Sequence, residues 1–216
     1  FIERFGRRAF RRPLAPAERT RLEALYAAGK RVGGFATGIQ AVIEGALQAP
    51  AFLYRLEGDG GDEGAGDVAL TDHELAARLS YFLTGSMPDE ALATAADEGR
   101  LHDRAVLRAQ ARRLLATTRG QEMVADFHRQ WLALDHAIGV TRDPKLFPKF
   151  SDRTAQALVA GAQAFAAWIM GEGRGSLSAS FTSNVSFVNA DSAWVLGADV
   201  RGAGLQQVPS PPSERA

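Results

Sequence analysis

A chain of 216 residues with 46% hydrophobic content is long and apolar enough for one compact domain or two small ones, which argues against disorder. Its 25 basic and 25 acidic residues balance, so no molecule-wide field directs it to nucleic acid or to an anionic membrane. The absence of cysteine excludes disulfides, thiolate nucleophiles, cysteine-ligated zinc, iron–sulfur clusters and the C-x-x-C-H attachment of a c-type haem, without fixing the compartment.

No apolar run is long enough for a signal peptide or a membrane span. The opening FIERFGRRAF, without an initiator methionine, reads as the start of an internal fragment whose targeting signal, if any, lies upstream. In the first predicted helix Ile2, Phe5 and Ala9 form an apolar stripe, while Arg4, Arg7, Arg8 and Arg11 share the other side; Pro13 stops it. Pro16 opens a second helix, with Leu22, Leu25 and Tyr26 facing the core, which Gly33 and Gly34 end. A third carries Phe35, Ile39, Val42, Ile43, Ala46 and Leu47; Pro50 closes it, and AFLYRLE reads as a short extended exit.

GDGGDEGAGD, residues 58–67, reads as a solvated linker. Its acids do not follow the alternation of a calcium-binding EF-hand loop and no bidentate glutamate closes it. Beyond it the period is helical. Leu75, Ala76, Leu79, Phe82 and Leu83 form one stripe, and a short helix follows Pro88. Leu101, Val106, Leu107, Leu114 and Leu115 form another stripe, with Arg100, Arg104, Arg108 and Arg112 on the solvent face. Met123, Phe127, Trp131 and Leu134 make a further stripe, as do Leu158, Ala162, Phe165 and Ile169. DPKLFPKF, residues 143–150, is a proline-broken connection expected to bury its aromatics. The pattern weakens from Gly171, with a last short helix near Ala190 to Leu196 and a tail, VPSPPSERA, that looks unfolded or truncated. Nothing alternates as a sheet would. The expected fold is therefore all-α, an irregular multi-helix bundle: a small helical domain at 1–56, an acidic Gly-rich linker at 57–67, a larger helical domain at 68–200 and a tail at 201–216.

Most polar clusters have a structural reading. Thr71-x-x-Glu74 is a capping box, which leaves His73 as a surface residue of the first turn. GEGRG, residues 171–175, follows a helix and lacks the Lys-Ser/Thr of a phosphate loop. Glu122 and Asp126 stand four apart, a carboxylate pair that reads as a solvated face because Arg129 neutralises Asp126. His128 lies at the border of the Phe127–Trp131 stripe, where it is a hydrogen-bonded structural residue, a metal ligand or a general base. His136 is two helical turns away, too far to share a metal with it. Candidate catalytic residues are therefore His128, Asp126 and Arg129; no metal or cofactor site is expected in this chain. Through Arg31 there are nine basic residues against three acidic ones; with neither aromatic interleaving nor a recognition-helix pattern, this face reads first as an intramolecular or solvated one, with nucleic acid, an acidic partner domain or an anionic polymer as the alternatives.

The succession FIERFGRRAFRRPLAPAE, QAPAFLYRLE, LTDHELAARLSYFLTGSMPDEAL, FHRQWLAL, DPKLFPKF and FTSNVSFVN resembles a family of large planctomycete and myxobacterial proteins. These carry adjacent domains of unknown function, often beside a c-type cytochrome domain. The resemblance covers nearly the whole chain, the smaller domain at 1–56 and the larger from about 68 to 200. It implies an exported, cell-envelope or extracellular location, neighbouring domains of the same polypeptide as partners, and a c-type haem in another domain of the full-length protein. It supplies no catalytic residues. The leading expectation is a non-catalytic helical module that docks neighbouring domains, with Trp131, Phe147 and Phe150 buried to fix its shape. The alternative is one wall of a composite redox or hydrolytic site acting on a polymer, built around His128 with Asp126 or Arg129.

Overall fold

A computed structural model describes residues 1–55, 57–58, 69–140, 142–172 and 175–210. The fold is all-α, with one two-stranded sheet among the described residues. The backbone divides into two compact units, Phe1–Arg119 and Gly120–Ala216.

In the first unit, α1 (Ile2–Phe10) buries Ala9 and Phe10 and ends at Arg11 in the left-handed region, φ 62°. Leu14 then packs beneath Gly6, where a Cβ would come within 2.8 Å of its methyl groups. Helix α2 (Pro16–Leu47) is a helical hairpin broken where sequence predicts, at Gly33 and Gly34; Gly34 has φ 79° and ψ −161°, open only to glycine. Its arms approach closely: a Cβ on Gly29 would meet the Thr37 carbonyl oxygen at 2.6 Å, and one on Gly38 the Tyr26 ring at 2.8 Å. Leu22, Val42 and Ala46 close a core with Phe10 and Leu14. Pro50 does not merely end a helix; it begins α3 (Pro50–Leu53), so the first three residues of AFLYRLE are helical and Tyr54 is extended. The linker expected at 57–67 lies outside the described residues except for Glu57 and Gly58. Glu57 pairs with Arg78, and the Gly58 N–H donates to Glu74 at 2.9 Å.

The capping box forms at α4 (Asp72–Thr84): the Glu74 N–H donates to Thr71 Oγ1 at 3.3 Å, and the Thr71 N–H donates to Glu74 at 2.7 Å. Gly85, φ 62°, ends the helix, and Asp89 caps α5 (Glu90–Asp97) by accepting from the Leu92 N–H at 3.0 Å. After Asp103 caps α6 (Arg104–Leu115), the three helices enclose Ala76, Leu83, Leu92, Ala95, Leu101 and Leu114. Phe82 departs from its predicted stripe: it is 75% exposed, and the fully buried position beside it belongs to Ser80.

In the second unit α7 (Thr118–Trp131) leads to a single 3-10 turn, Leu134–Ala137, and then α8 (Asp152–Met170), capped by Ser151. Helix α8 is its centre. It buries Ala155, Ala157, Val159, Ala166 and Ile169; of the predicted stripe only Ile169 is buried, Leu158, Ala162 and Phe165 being half-buried, and the 3-10 turn, α9 (Leu177–Thr182) and β1 (Ser186–Val188) pack against the helix. Gly161 admits β1, since a Cβ there would lie 2.2 Å from the Phe187 carbonyl oxygen. Contrary to the expectation of no strands, β1 pairs antiparallel with β2 (Gln206–Val208), which follows α10 (Ala193–Leu196); Phe187 sits opposite Gln207. Val208, expected to open an unfolded tail, is thus paired, while residues 211–216 lie outside the described residues. Asn189 joins these pieces: its Oδ1 accepts from the Asp191 N–H at 3.0 Å and its amide donates to the Ala203 carbonyl at 3.1 Å.

Leu92 has no exposed surface. Leu92→Ala should cost about 3 kcal/mol in urea unfolding, whereas Phe82→Ala should stay within about 0.5 kcal/mol of the parent.

Candidate functional site

Three of the four residues from Asp126 to Arg129 are the chemical candidates, and all project from the last turns of α7. Asp126 and Arg129, three apart, share a helix face: two guanidinium nitrogens of Arg129 donate to Asp126 Oδ1 at 3.2 and 2.7 Å, and a third to Asp135 of the 3-10 turn at 2.7 Å. Gln130 donates to the other oxygen of Asp126 at 2.6 Å. The hydrogen bond from Arg129, and then that from Gln130, hold the Asp126 carboxyl below the usual carboxylate range, while Asp126 and Asp135 raise the Arg129 guanidinium further. The group therefore clips the 3-10 turn to the end of α7 with charges largely committed to one another.

His128 is turned away from this clip. Its Nδ1 lies 2.8 Å from the Val124 carbonyl oxygen, one turn back. Because a carbonyl can only accept, Nδ1 carries the proton, and in the neutral ring Nε2 is left as an acceptor. The ring is edge-on to Phe127 at 5.2 Å and to Trp131 at 6.0 Å between centroids. The structure thus brings Asp126 and Arg129 together and orients His128 through the backbone. A carboxylate-oriented base would need Asp126 on Nδ1, and the Val124 carbonyl occupies that position. Exposed His136 stands in the 3-10 turn. Among the described residues no three His, Asp or Glu side chains converge as a metal site requires.

The aromatics around His128 are not where the sequence reading places them. Phe127 and Trp131 stack on each other at 6.0 Å and are more than half exposed; Phe147 is also half exposed, and Phe150 is half-buried beneath the Arg142 guanidinium. Helical spacing alone had assigned Phe127 and Trp131 to the core, but α8, not α7, collects the packing of this unit. Leu132, Ile138 and Leu146 are exposed as well, so six large apolar side chains between Phe127 and Phe147 are uncovered. Spacing cannot distinguish such a face from a buried one.

A second feature lies in the first unit, where a cleft of about 900 Å³ is lined by Arg4, Arg7 and Arg8 of α1 and by residues of α4, α5 and the 84–90 turn. His73, read as a surface residue, is half-buried, with Nε2 3.0 Å from the cleft residue Asp97, which also pairs with Arg7. The i, i+4 arginines of α1 were legible in sequence; their alignment with the 84–90 turn was not, because that contact joins segments some eighty residues apart.

Asp126 has a depressed folded-state pKa, so its contribution is present above the ordinary carboxylate range and is lost as pH falls through the depressed value. Asp126→Asn should remove that acid-side loss: circular dichroism melts of the parent should fall more between about pH 5 and pH 2 than those of the variant.

No curated protein and no solved structure matches the chain. Residues 1–57 match a family described as protein of unknown function DUF1595, PSD5. Residues 70–197 match the profile of protein of unknown function DUF1592, PSD4, and since that match spans more than half of the sequence, the chain belongs to the DUF1592 family.

Proposed function

We propose that the chain is a non-catalytic helical docking module of an exported, cytochrome-linked multidomain protein. Its uncovered apolar run at 127–147 seats a neighbouring domain of the same polypeptide. The observation behind this reading is the exposure of Phe127, Trp131 and Leu146, at 58%, 53% and 73%, in one short stretch with Leu132, Ile138 and Phe147. A run of large apolar side chains left open to water favours burial against a partner, and tryptophan is the residue most often central to such contacts. The aromatic stack is held in place by the His128–Val124 hydrogen bond and the Asp126–Arg129–Asp135 clip, which gives those polar residues a positioning role. Two family segments placed side by side in one chain agree with a multidomain setting. Export and the cytochrome link rest on the resemblance in motif order.

A second reading, one wall of a composite redox or hydrolytic site, is favoured by the Nε2 of His128, which has no hydrogen bond to a described residue, on a ring that meets two exposed aromatic rings. The two readings separate at His128→Gln in the full-length protein. Docking requires domain assembly to be perturbed with no turnover to lose, while a composite site requires turnover to fall with assembly intact.

Hydrogen exchange tests the docking surface. In the full-length protein residues 127–147 should be more protected than in the 216-residue chain. The double variant Phe127→Ser, Trp131→Ser should lose that extra protection, with a docking cost of about 2 kcal/mol or more, while α8 keeps its own. Equal exchange in the two proteins would end the proposal.

A further inference from the structure

The fold uses most of the arginines around α1. Arg7 pairs with Asp97, Arg12 with Glu18 at 2.8 Å and Arg19 with Glu3 at 2.6 Å, and Arg11 reaches the carbonyls at the end of α3. Arg4 and Arg8 remain: neither has a hydrogen bond or ion pair to a described residue, and both are exposed. Four residues apart, they lie one above the other on a single helix face, a like-charge arrangement that costs stability unless something answers it. Both line the 900 Å³ cleft, where Arg119 also has no hydrogen bond or ion pair from its side chain to a described residue.

The opposite wall does not neutralise them. Of its three carboxylates, Asp89 accepts two hydrogen bonds from Arg113 at 2.6 and 2.8 Å, and Asp97 is held by Arg7 and His73. Those contacts keep both carboxyls charged and lowered from their usual range, Asp89 chiefly through Arg113 and Asp97 chiefly through Arg7. Only Glu90 is uncommitted, against three arginines. Between these charges stand hydroxyl groups. Thr84 and Thr94 each donate to the carbonyl one turn back, at 2.8 and 2.9 Å, which leaves their oxygens as acceptors; Thr84 Oγ1 already takes the hydroxyl of buried Ser80 at 3.4 Å and keeps one lone pair, while Ser86 has no hydrogen bond to a described residue.

Paired cations beside a row of hydroxyl acceptors suit a ligand that is both acidic and rich in hydroxyls. We propose that this cleft binds an acidic oligosaccharide, its carboxylate or sulfate groups on Arg4 and Arg8 and its hydroxyls on Thr84, Ser86 and Thr94. Single-stranded nucleic acid would bring the same charge but needs open aromatic faces for its bases. The bordering rings are occupied: Phe5 is stacked on Phe1 at 5.3 Å, and Tyr81 lies under Arg55 at 4.7 Å and Arg11 at 5.9 Å.

The test is calorimetric titration of the 216-residue chain at low salt with trigalacturonate, with uncharged maltotriose and sodium sulfate in parallel. Trigalacturonate should bind saturably at about 1 mM or below. The pair Arg4→Gln, Arg8→Gln should weaken it about tenfold or more without lowering the thermal melt, since neither side chain is used by the fold and their mutual repulsion is removed. The charge-matched pair Arg21→Gln, Arg31→Gln, exposed on α2, should change it by less than about threefold. Absence of trigalacturonate binding, equal weakening by the two pairs, or sulfate binding as tightly as trigalacturonate would each overturn the assignment.

Discussion

The side chain of Arg11 leaves the end of α1 and finishes among the carbonyl oxygens of Ala51, Phe52 and Tyr54, with the Tyr54 contact at 2.9 Å. Helix α1 has nine residues and could not persist alone, because nucleation is unfavourable and so short a segment gains few hydrogen bonds. Its last carbonyls and those of the four-residue α3 would otherwise need water or other partners. One planar guanidinium meets several of those acceptors while lying 5.9 Å over the Tyr81 ring of α4. The left-handed backbone at Arg11 also turns the chain toward Leu14, which closes the core beneath Gly6. The position of α1, and with it the face bearing Arg4 and Arg8, therefore follows from where Arg11 is anchored.

Local rules of sequence were enough wherever the determining contacts are local. The Thr71–Glu74 capping box, the break at Gly33–Gly34, the Gly85 stop and the short helix after Pro88 involve neighbours within a few residues, and each appears in the structure. Patterns that require knowledge of what lies across the chain were less legible. Phe82, Phe127 and Trp131 have core spacing yet face water, because periodicity identifies a face without identifying its partner. His73 looked like an ordinary first-turn residue, and Asp72 beside it drew no reading. In the fold they bind Asp97 and the Leu101 N–H, tying the start of α4 to the end of α5 and the approach to α6. The strand pair β1–β2 was missed because three-residue strands twenty residues apart are too short for alternation to register.

Among the candidate catalytic residues the same distinction holds. Asp126 and Arg129 were expected to meet, and they do; the addition of Gln130 and Asp135 makes them a clip between α7 and the turn that follows. His128 was left open between structural and chemical roles, and its Nδ1 proton goes to a backbone carbonyl. Among the described residues some ion pairs join one helix to another, as Arg7 with Asp97 and Arg113 with Asp89 do. What stands apart is an apolar run on the second unit and an unpaired cationic face on the first, two surfaces suited to different partners.

The claim that Arg11 tethers α1 while Arg8 on the same helix is left over for binding is tested most directly by comparing Arg11→Lys with Arg8→Lys in urea unfolding. Lysine keeps the charge at each position but cannot span several carbonyls at once. Arg11→Lys should lose about 1–3 kcal/mol, the range for hydrogen bonds made by a charged group, and Arg8→Lys should unfold as the parent does. Equal stabilities for the two variants, or a larger loss at Arg8, would contradict the account.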